Sequence, residues 1–271
     1  MRDSMKYVNH QNEVIEFGNG NILINENKLR DYEWVYLSDG LNLSSFSRKR
    51  KETSLPGFVF GENRKDLLNR MVDVFERDIL SETPGTIFIN GYYTKGYFVC
   101  FEKSGYTRSG SIDFSLKFIS TSKKWISETK HLFNLTDKSA ADSKSYPGKY
   151  AYRYGTSVAT SHIVNPSSAA SDFKMVINGP VVNPSVTVGE NTYLVYITLE
   201  EGEYLEINSV EKTIYKLSKY GERINVFHCR QKKQTFFNKI ASGRQDVKAP
   251  VGISVEITLY EERSEPKWNR Q

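Results

Sequence analysis

Residues that carry chemistry are scarce in this sequence. There are four histidines, at positions 10, 131, 162 and 228, and two cysteines, Cys100 and Cys229. No histidine has a second histidine or a cysteine at metal-ligand spacing, and His228-Cys229 are neighbours that a strand would point to opposite faces. The pattern excludes a spacing-defined zinc site and a disulfide framework, and it suggests two buried free thiols within apolar strand patterns. H-E-x-x-H, G-x-S-x-G and the phosphate-binding G-x-x-x-x-G-K-[ST] are all absent. The glycine-rich "FGNGN" at 17–21 lacks the strand-turn-helix context of a phosphate cradle. The acidic doublets Glu200-Glu201 and Glu261-Glu262 point apart on a strand, unlike a glycosidase pair, and read as charges that discourage edge-to-edge pairing. No apolar run reaches eighteen residues and the N-terminus carries no apolar signal segment. The expectation is a soluble chain, made in a cytoplasm, with no catalytic residues, no cofactor and no metal.

What the sequence has is aromatic strand. Seventeen tyrosines and fifteen phenylalanines in 271 residues suit β-structure better than a helical bundle. The net charge of +5 is spread evenly, +2 before residue 140 and +3 after it, too even for a clustered nucleic-acid face. One local exception is the run Arg48, Lys49, Arg50 and Lys51 in "SSFSRKRKETSLPG". It reads as a charged loop or hairpin tip, or else as a basic recognition patch.

The first half is strand-rich with a single helix. "DYEWVYL" (31–37) is a strand candidate. Residues 63–80 place Leu67, Met71 and Val74 beside Leu68, Val72, Phe75 and Ile79 on one helical stripe, with Asn63 as cap and Pro84-Gly85 beyond the end. In "TIFINGYYTKGYFVCF" (86–101), Asn90-Gly91 signals a hairpin and Gly96 a bulge or second bend. Ile112, Phe114, Leu116 and Phe118 then alternate along a strand. The first domain is expected to be an α+β unit, residues 1–140.

A Ser- and Ala-rich stretch follows from 134 to 172, with "KYAYRYG" as a strand inside it, and sets a domain boundary near 140. Beyond it, strands recur with turn signals between them and predict a β-sandwich over 141–271. "NTYLVYITL" (191–199) reads as an inner strand, "EYLEI" and "TIYKL" as a hairpin, and "INVFHC" as a further strand. "SDFKMVINGPVVNPSVTVG" (171–189) is two short strands with a Gly-Pro step and an Asn-Pro step between them, a corner of that sandwich. Exposed rings at Tyr146, Tyr150, Tyr152, Tyr154 and Trp268 allow an alternative, a sugar-binding adhesion module at a virion or cell surface.

The order "YPGKYAYRYG", "FKMVINGPVVNPSVTV", "EGEYLEINSVEKTIYKL", "FFNKIASGRQDV", "SVEITLYEERSEPKW" resembles the distal tail proteins of long-tailed phages, the siphovirus-type tail component family. The resemblance lies in the Gly-Pro then Asn-Pro strand pair, the Phe237-x-x-Ile240-x-x-Gly243 turn and the terminal "YEERSEPKW", across about 120 residues. The first half resembles the family through the strand-helix-hairpin order from Asp31 to Ser120. The resemblance implies a mostly β structural protein of the virion tail tip that forms a ring, usually a hexamer. A tail-tube-like domain over 1–140 would surround a channel for the genome, with a galectin-like sandwich over 141–271 outside it. The implied partners are copies of itself, the tail tube protein, a tail-associated hub or lysin protein and receptor-binding proteins. The run Arg48, Lys49, Arg50 and Lys51 is expected at a subunit or tube contact.

Overall fold

A computed structural model of the chain describes residues 4–18, 20–106, 110–134, 158–233 and 235–268. The fold is mostly β, with one α-helix among the described residues. The chain forms two compact units, Met1–Ser127 together with Glu262–Gln271, and Glu128–Glu261. The expected bounds were 1–140 and 141–271; in the structure the last ten residues group with the first unit.

In the first unit, β1 (Met5–Val8), β2 (Val14–Phe17) and β3 (Ile22–Ile24) open the chain. β4 (Trp34–Asp39) and β5 (Asn42–Arg48) follow, then β6 (Glu52–Val59) and helix α1 (Arg64–Leu80). β7 (Gly85–Ile89), β8 (Tyr92–Tyr106), β9 (Ile112–Ser120) and the start of β10 (Trp125–Asn134) complete it. The antiparallel order is β2-β1-β7-β8-β9-β6-β3. Its two end strands are consecutive in the chain, and the turn joining them is closed by the Gly18 N–H donating to the Ile22 carbonyl at 2.9 Å.

Helix α1 lays Leu68, Met71, Val74 and Phe75 into the core, as its stripe requires. Two details depart from the sequence reading. Asn63 occupies the N-cap position without a side-chain capping bond, and the stripe's last position goes to Asp78, leaving Ile79 exposed. Phe75 and Phe98 anchor a cluster of tilted and edge-to-face rings that includes Tyr7 and Phe118.

Asn90 and Gly91 take φ of 50° and 81°, the left-handed pair that a two-residue hairpin turn needs, and β7 pairs with β8 as expected. Gly96 is not a bulge. It pairs in register with Gly85 and Ser120, and the β8 irregularities fall at Phe98/Cys100 and Lys103/Tyr106. Glycine is required there for another reason: a Cβ would collide with the Ile119 carbonyl and the Phe118 ring.

Among the described residues, the second unit contains two larger antiparallel sheets and a two-stranded one. Of the larger two, one runs β19 (Arg223–Asn225), β18 (Thr213–Leu217), β17 (Tyr204–Asn208), β12 (Asp172–Asn178), β21 (Ser254–Arg263). The other runs β11 (Val158–Asn165), β20 (Gly243–Pro250), β14 (Ser185–Val188), β15 (Asn191–Leu194). Phe173, Met175 and Ile177 of β12 share one core with Val186, Val188 and Val247 of the opposite sheet, so the unit is a sandwich. The Gly-Pro/Asn-Pro stretch is the corner that carries the chain from β12 in one sheet to β14 in the other. Between them, β13 (Val181–Val182) pairs with β16 (Thr198–Leu199). Gly179-Pro180 is a cis bond, and a side chain at 179 would strike the Glu200 carbonyl.

Four further readings need correction. "NTYLVYITL" is not one inner strand: β15 is a sheet edge, the chain breaks at 195–197, and Tyr196 is exposed. "INVFHC" is strand only to Asn225, after which residues Phe227–Cys229 form a 3-10 turn, so His228 and Cys229 do not alternate across a sheet. Both cysteines are free but only partly buried. Glu261 is buried rather than a solvated edge charge. Residues 135–157 of the Ser- and Ala-rich stretch, including "KYAYRYG" and Tyr146, Tyr150, Tyr152 and Tyr154, lie outside the described residues, and β11 (Val158–Asn165) lies within the remainder of that stretch.

Candidate interaction groove

Among the described residues, β4 and β5 form a hairpin that pairs with no other strand. Its apolar residues are solvent-facing. Strand alternation puts Trp34, Tyr36 and Phe46 on one face and Val35 and Leu37 on the other, and all five are exposed. Leu41, at the tip beside Gly40 (φ 63°), is fully exposed. An antiparallel ribbon with apolar side chains on both faces has no core of its own to bury them in.

At the base of this hairpin is a groove of about 720 Å³ within the first unit. The run Arg48, Lys49, Arg50 and Lys51 lies along it, where β5 ends and β6 begins, and not at the hairpin tip. The fold brings Lys28 and the doublet Lys123-Lys124 to the same groove. Seven cationic residues thus line it, with three acidic ones, Asp31, Glu33 and Glu52.

These cations differ in what holds them. The Arg48 guanidinium lies over the Trp34 ring at 4.9 Å and its Nε donates to Ser264 Oγ at 3.1 Å. Lys49 pairs with Glu33 at 2.8 Å in an exposed ion pair, and Lys124 pairs with Glu262. Arg50 and Lys123 are exposed and have no ion-pair partner among the described residues. Lys51 is partly buried, and its ammonium donates to the Leu29 carbonyl. Burial pushes its pKa down to about 8, against the opposing pull of Asp31 and Glu265.

The floor is polar. Ser120 Oγ accepts from the Lys51 backbone N–H at 3.3 Å and donates to the Ser122 carbonyl at 2.7 Å. Thr94, on β8, is 3% exposed and lines the groove, and its Oγ1 has no hydrogen-bond partner among the described residues. The linear sequence flagged only the basic run. Thr94 and Ser120 carry no local signal, because strand pairing collects them; Lys28 arrives on the 3-10 turn Lys28–Arg30, and neither it nor Lys123-Lys124 stood out in the linear sequence.

The other polar cluster in this unit is internal. Asp78 is fully buried at the end of α1 and accepts from Tyr7 Oη at 2.5 Å and from the His10 backbone N–H at 2.9 Å. His10 Nδ1 lies 2.6 Å from Oδ1, the same oxygen that accepts from the His10 backbone N–H, while Tyr7 holds Oδ2. Ser81 Oγ lies 3.4 Å from the same Nδ1 that faces Asp78, so the ring does not bridge hydroxyl and carboxylate as a general base would, and this cluster joins α1 to β1. Trp268 is exposed, but one face of its ring carries the buried Arg30 guanidinium at 4.0 Å, which leaves less of it for a sugar. His162 and His228 are exposed, and His131 stacks on Phe133 with its pKa lowered by burial. Among the described residues, no three histidine, cysteine or acidic side chains converge as a metal site, and no helix is long and apolar enough to cross a membrane.

No protein-family model and no curated protein matches the chain. Solved structures do. A chain of the phage P2 baseplate in its activated conformation with calcium is 16% identical, with 98% of this chain and 100% of that chain aligned and a TM-score of 0.61. A chain of the phage p2 baseplate in its activated conformation with strontium gives 16%, 98%, 100% and 0.62. The SPP1 Dit (gp 19.1) protein, described as a paradigm of the hub adsorption apparatus in phages that infect Gram-positive bacteria, gives 11%, 97%, 100% and 0.60. Over nearly its whole length, the chain has the fold of these phage baseplate and hub proteins.

Proposed function

We propose that this chain is a structural, non-enzymatic hub subunit at the distal end of a long-tailed phage's tail. Copies assemble head to tail into a closed ring of six. The N-terminal domain (1–140) surrounds the channel through which the genome passes, and the galectin-like C-terminal domain (141–271) lies outside. The ring joins the tail tube protein above to a hub or lysin protein below and displays receptor-binding proteins, with Arg48, Lys49, Arg50 and Lys51 at a subunit or tube contact.

The full-length fold likeness supports this reading, and so does the order of motifs in the second half. The observation that carries it is the β4–β5 hairpin. A ring needs two different complementary patches on each subunit. A permanent contact of that kind buries on the order of 2,000 Å² and much of it is apolar. A ribbon that exposes Trp34, Tyr36, Leu37, Leu41 and Phe46 supplies such a patch.

Native mass spectrometry and negative-stain imaging of the purified chain test the reading. The expected species has six times the 31.1 kDa subunit mass and six-fold symmetry. A chain that stays monomeric under all assembly conditions, including with tail tube and hub proteins present, overturns it.

A further inference from the structure

We infer that the groove at the base of the hairpin is a seat for an acidic peptide segment of a protein partner, one carboxylate of which is bound by the Lys51 ammonium and the Thr94 hydroxyl. The inference rests on the groove and does not need the ring.

The first observation is Thr94. A buried hydroxyl without a partner is uncommon and costly, and sites of this kind call for a missing acceptor or donor. Thr94 is buried, its Oγ1 is unpaired, and it lines a groove large enough for a ligand of several residues. The second is Lys51. An ammonium has three donors, and this one makes a single hydrogen bond, to the Leu29 carbonyl. Its partial desolvation is the condition under which an added counter-charge gains most. Third, Arg50 and Lys123 lie along the same groove as exposed, unpaired cations, positioned to draw in an anion.

The groove's own carboxylates decide between classes of anion. Asp31, Glu33 and Glu52 line it, and Glu265 acts on Lys51. A polynucleotide laid through the groove would bring a continuous row of phosphates against these groups. A peptide can present one or two carboxylates at Lys51 and leave uncharged backbone elsewhere, where Ser122 and Ser264 hydroxyls line the wall.

The test is fluorescence anisotropy of the full-length protein with fluorescein-labelled hexaglutamate at pH 7. Labelled hexaglutamine, labelled dT12 and competing inorganic phosphate form the parallel arms. Hexaglutamate is expected to bind and hexaglutamine not to. Thr94→Val should weaken hexaglutamate by about tenfold, the loss of one hydrogen bond to a charged group, and Lys51→Met by more. Thr94→Val should melt no lower than the parent, because it removes an unsatisfied hydroxyl and keeps the shape. Absent hexaglutamate binding, equal affinity in Thr94→Val, or preference for dT12 that Lys51→Met abolishes, each overturns the inference. If Lys51→Met does not fold, Thr94→Val decides alone. Peptide binding by a protein that stays monomeric would leave this site standing while the ring reading falls, so the two failures are distinguishable.

Discussion

The Tyr7 hydroxyl, on the first strand, donates to Asp78 Oδ2 at 2.5 Å across seventy-one residues of chain. Asp78 is on the buried side of α1, where the helical stripe called for an apolar residue, and it ties the helix end to β1 through Tyr7 and His10. Asp78→Ala leaves these donors buried and unmet and should cost about 3–5 kcal/mol. Tyr7→Phe should cost about 1–3 kcal/mol. Urea denaturation of the two variants measures both.

Alkaline pH should act through the same pair. Burial, then Asp78, hold the Tyr7 hydroxyl protonated well above the ordinary tyrosine range. Burial also raises Tyr193, and Tyr260 to about 12. Above about pH 10 the unfolded chain therefore binds fewer protons than the folded one, and stability falls as pH rises. Urea midpoints between pH 9 and 11 should show the fall, and Tyr7→Phe should make it shallower.

Lys51 gives the opposite slope over a lower window. Its folded pKa of about 8 is below the ordinary 10.5, so between those values the unfolded chain binds more protons and stability rises with pH. Relative to Lys51→Met, the wild type should gain stability from pH 8 to 10.5, by at most about 3 kcal/mol. Paired denaturation curves at pH 7 and pH 10 read this difference directly.

Gly96→Ala should destabilise the first unit by about 1–3 kcal/mol, because the added methyl meets the Ile119 carbonyl and the Phe118 ring. A bulge glycine would not produce that clash. A calorimetric melt of Gly96→Ala distinguishes the two.

In the second unit Asn165 is buried with both ends of its amide occupied. Nδ2 donates to the Ile240 carbonyl at 2.9 Å and to Ala241 at 3.2 Å, and Oδ1 accepts from the Ser167 N–H and Ser171 Oγ. Asn165→Ala should cost about 2–4 kcal/mol. Asn165→Asp should cost more, since it aims a carboxylate oxygen at two carbonyls. Guanidinium denaturation of the pair ranks them.

Under the proposed ring, the hairpin allows assembly to be tested separately from folding. Leu37→Ser with Phe46→Ser should change the subunit's own stability by about 0.5 kcal/mol or less, as exposed positions do, yet, under the proposed ring, reduce the six-fold species expected in native mass spectra. A double variant that assembles like the parent would remove the hairpin from the contact.

Elements with a clean period were legible in the sequence. Examples are α1, the Asn90-Gly91 hairpin, the alternation along Ile112–Ser120 and the sandwich corner with its two proline steps. Where the reading failed, a polar or small residue had a partner far away in sequence. Asp78 broke the helical stripe for the sake of Tyr7 and His10. Gly96 was read from local chemistry, whereas the constraint comes from Phe118 and Ile119. The basic run was visible, but the groove was not, because Thr94 and Ser120 reach it only through strand pairing and Lys28 only through the packing of a 3-10 turn. The exposure of β4 and β5 was hidden for a related reason: a strand's composition does not reveal whether any neighbour will cover it.

The first unit recruits its final pieces from the far end of the polypeptide. Glu262 meets Lys124, Ser264 meets Arg48, and the Pro266 carbonyl accepts from Arg30, while Glu128–Glu261 builds the other unit in between. During synthesis, the unit begun first is therefore the last to be finished. The groove wall at Ser264 exists only once the sandwich-forming segment has been fully translated, so an interrupted chain would not present the completed surface.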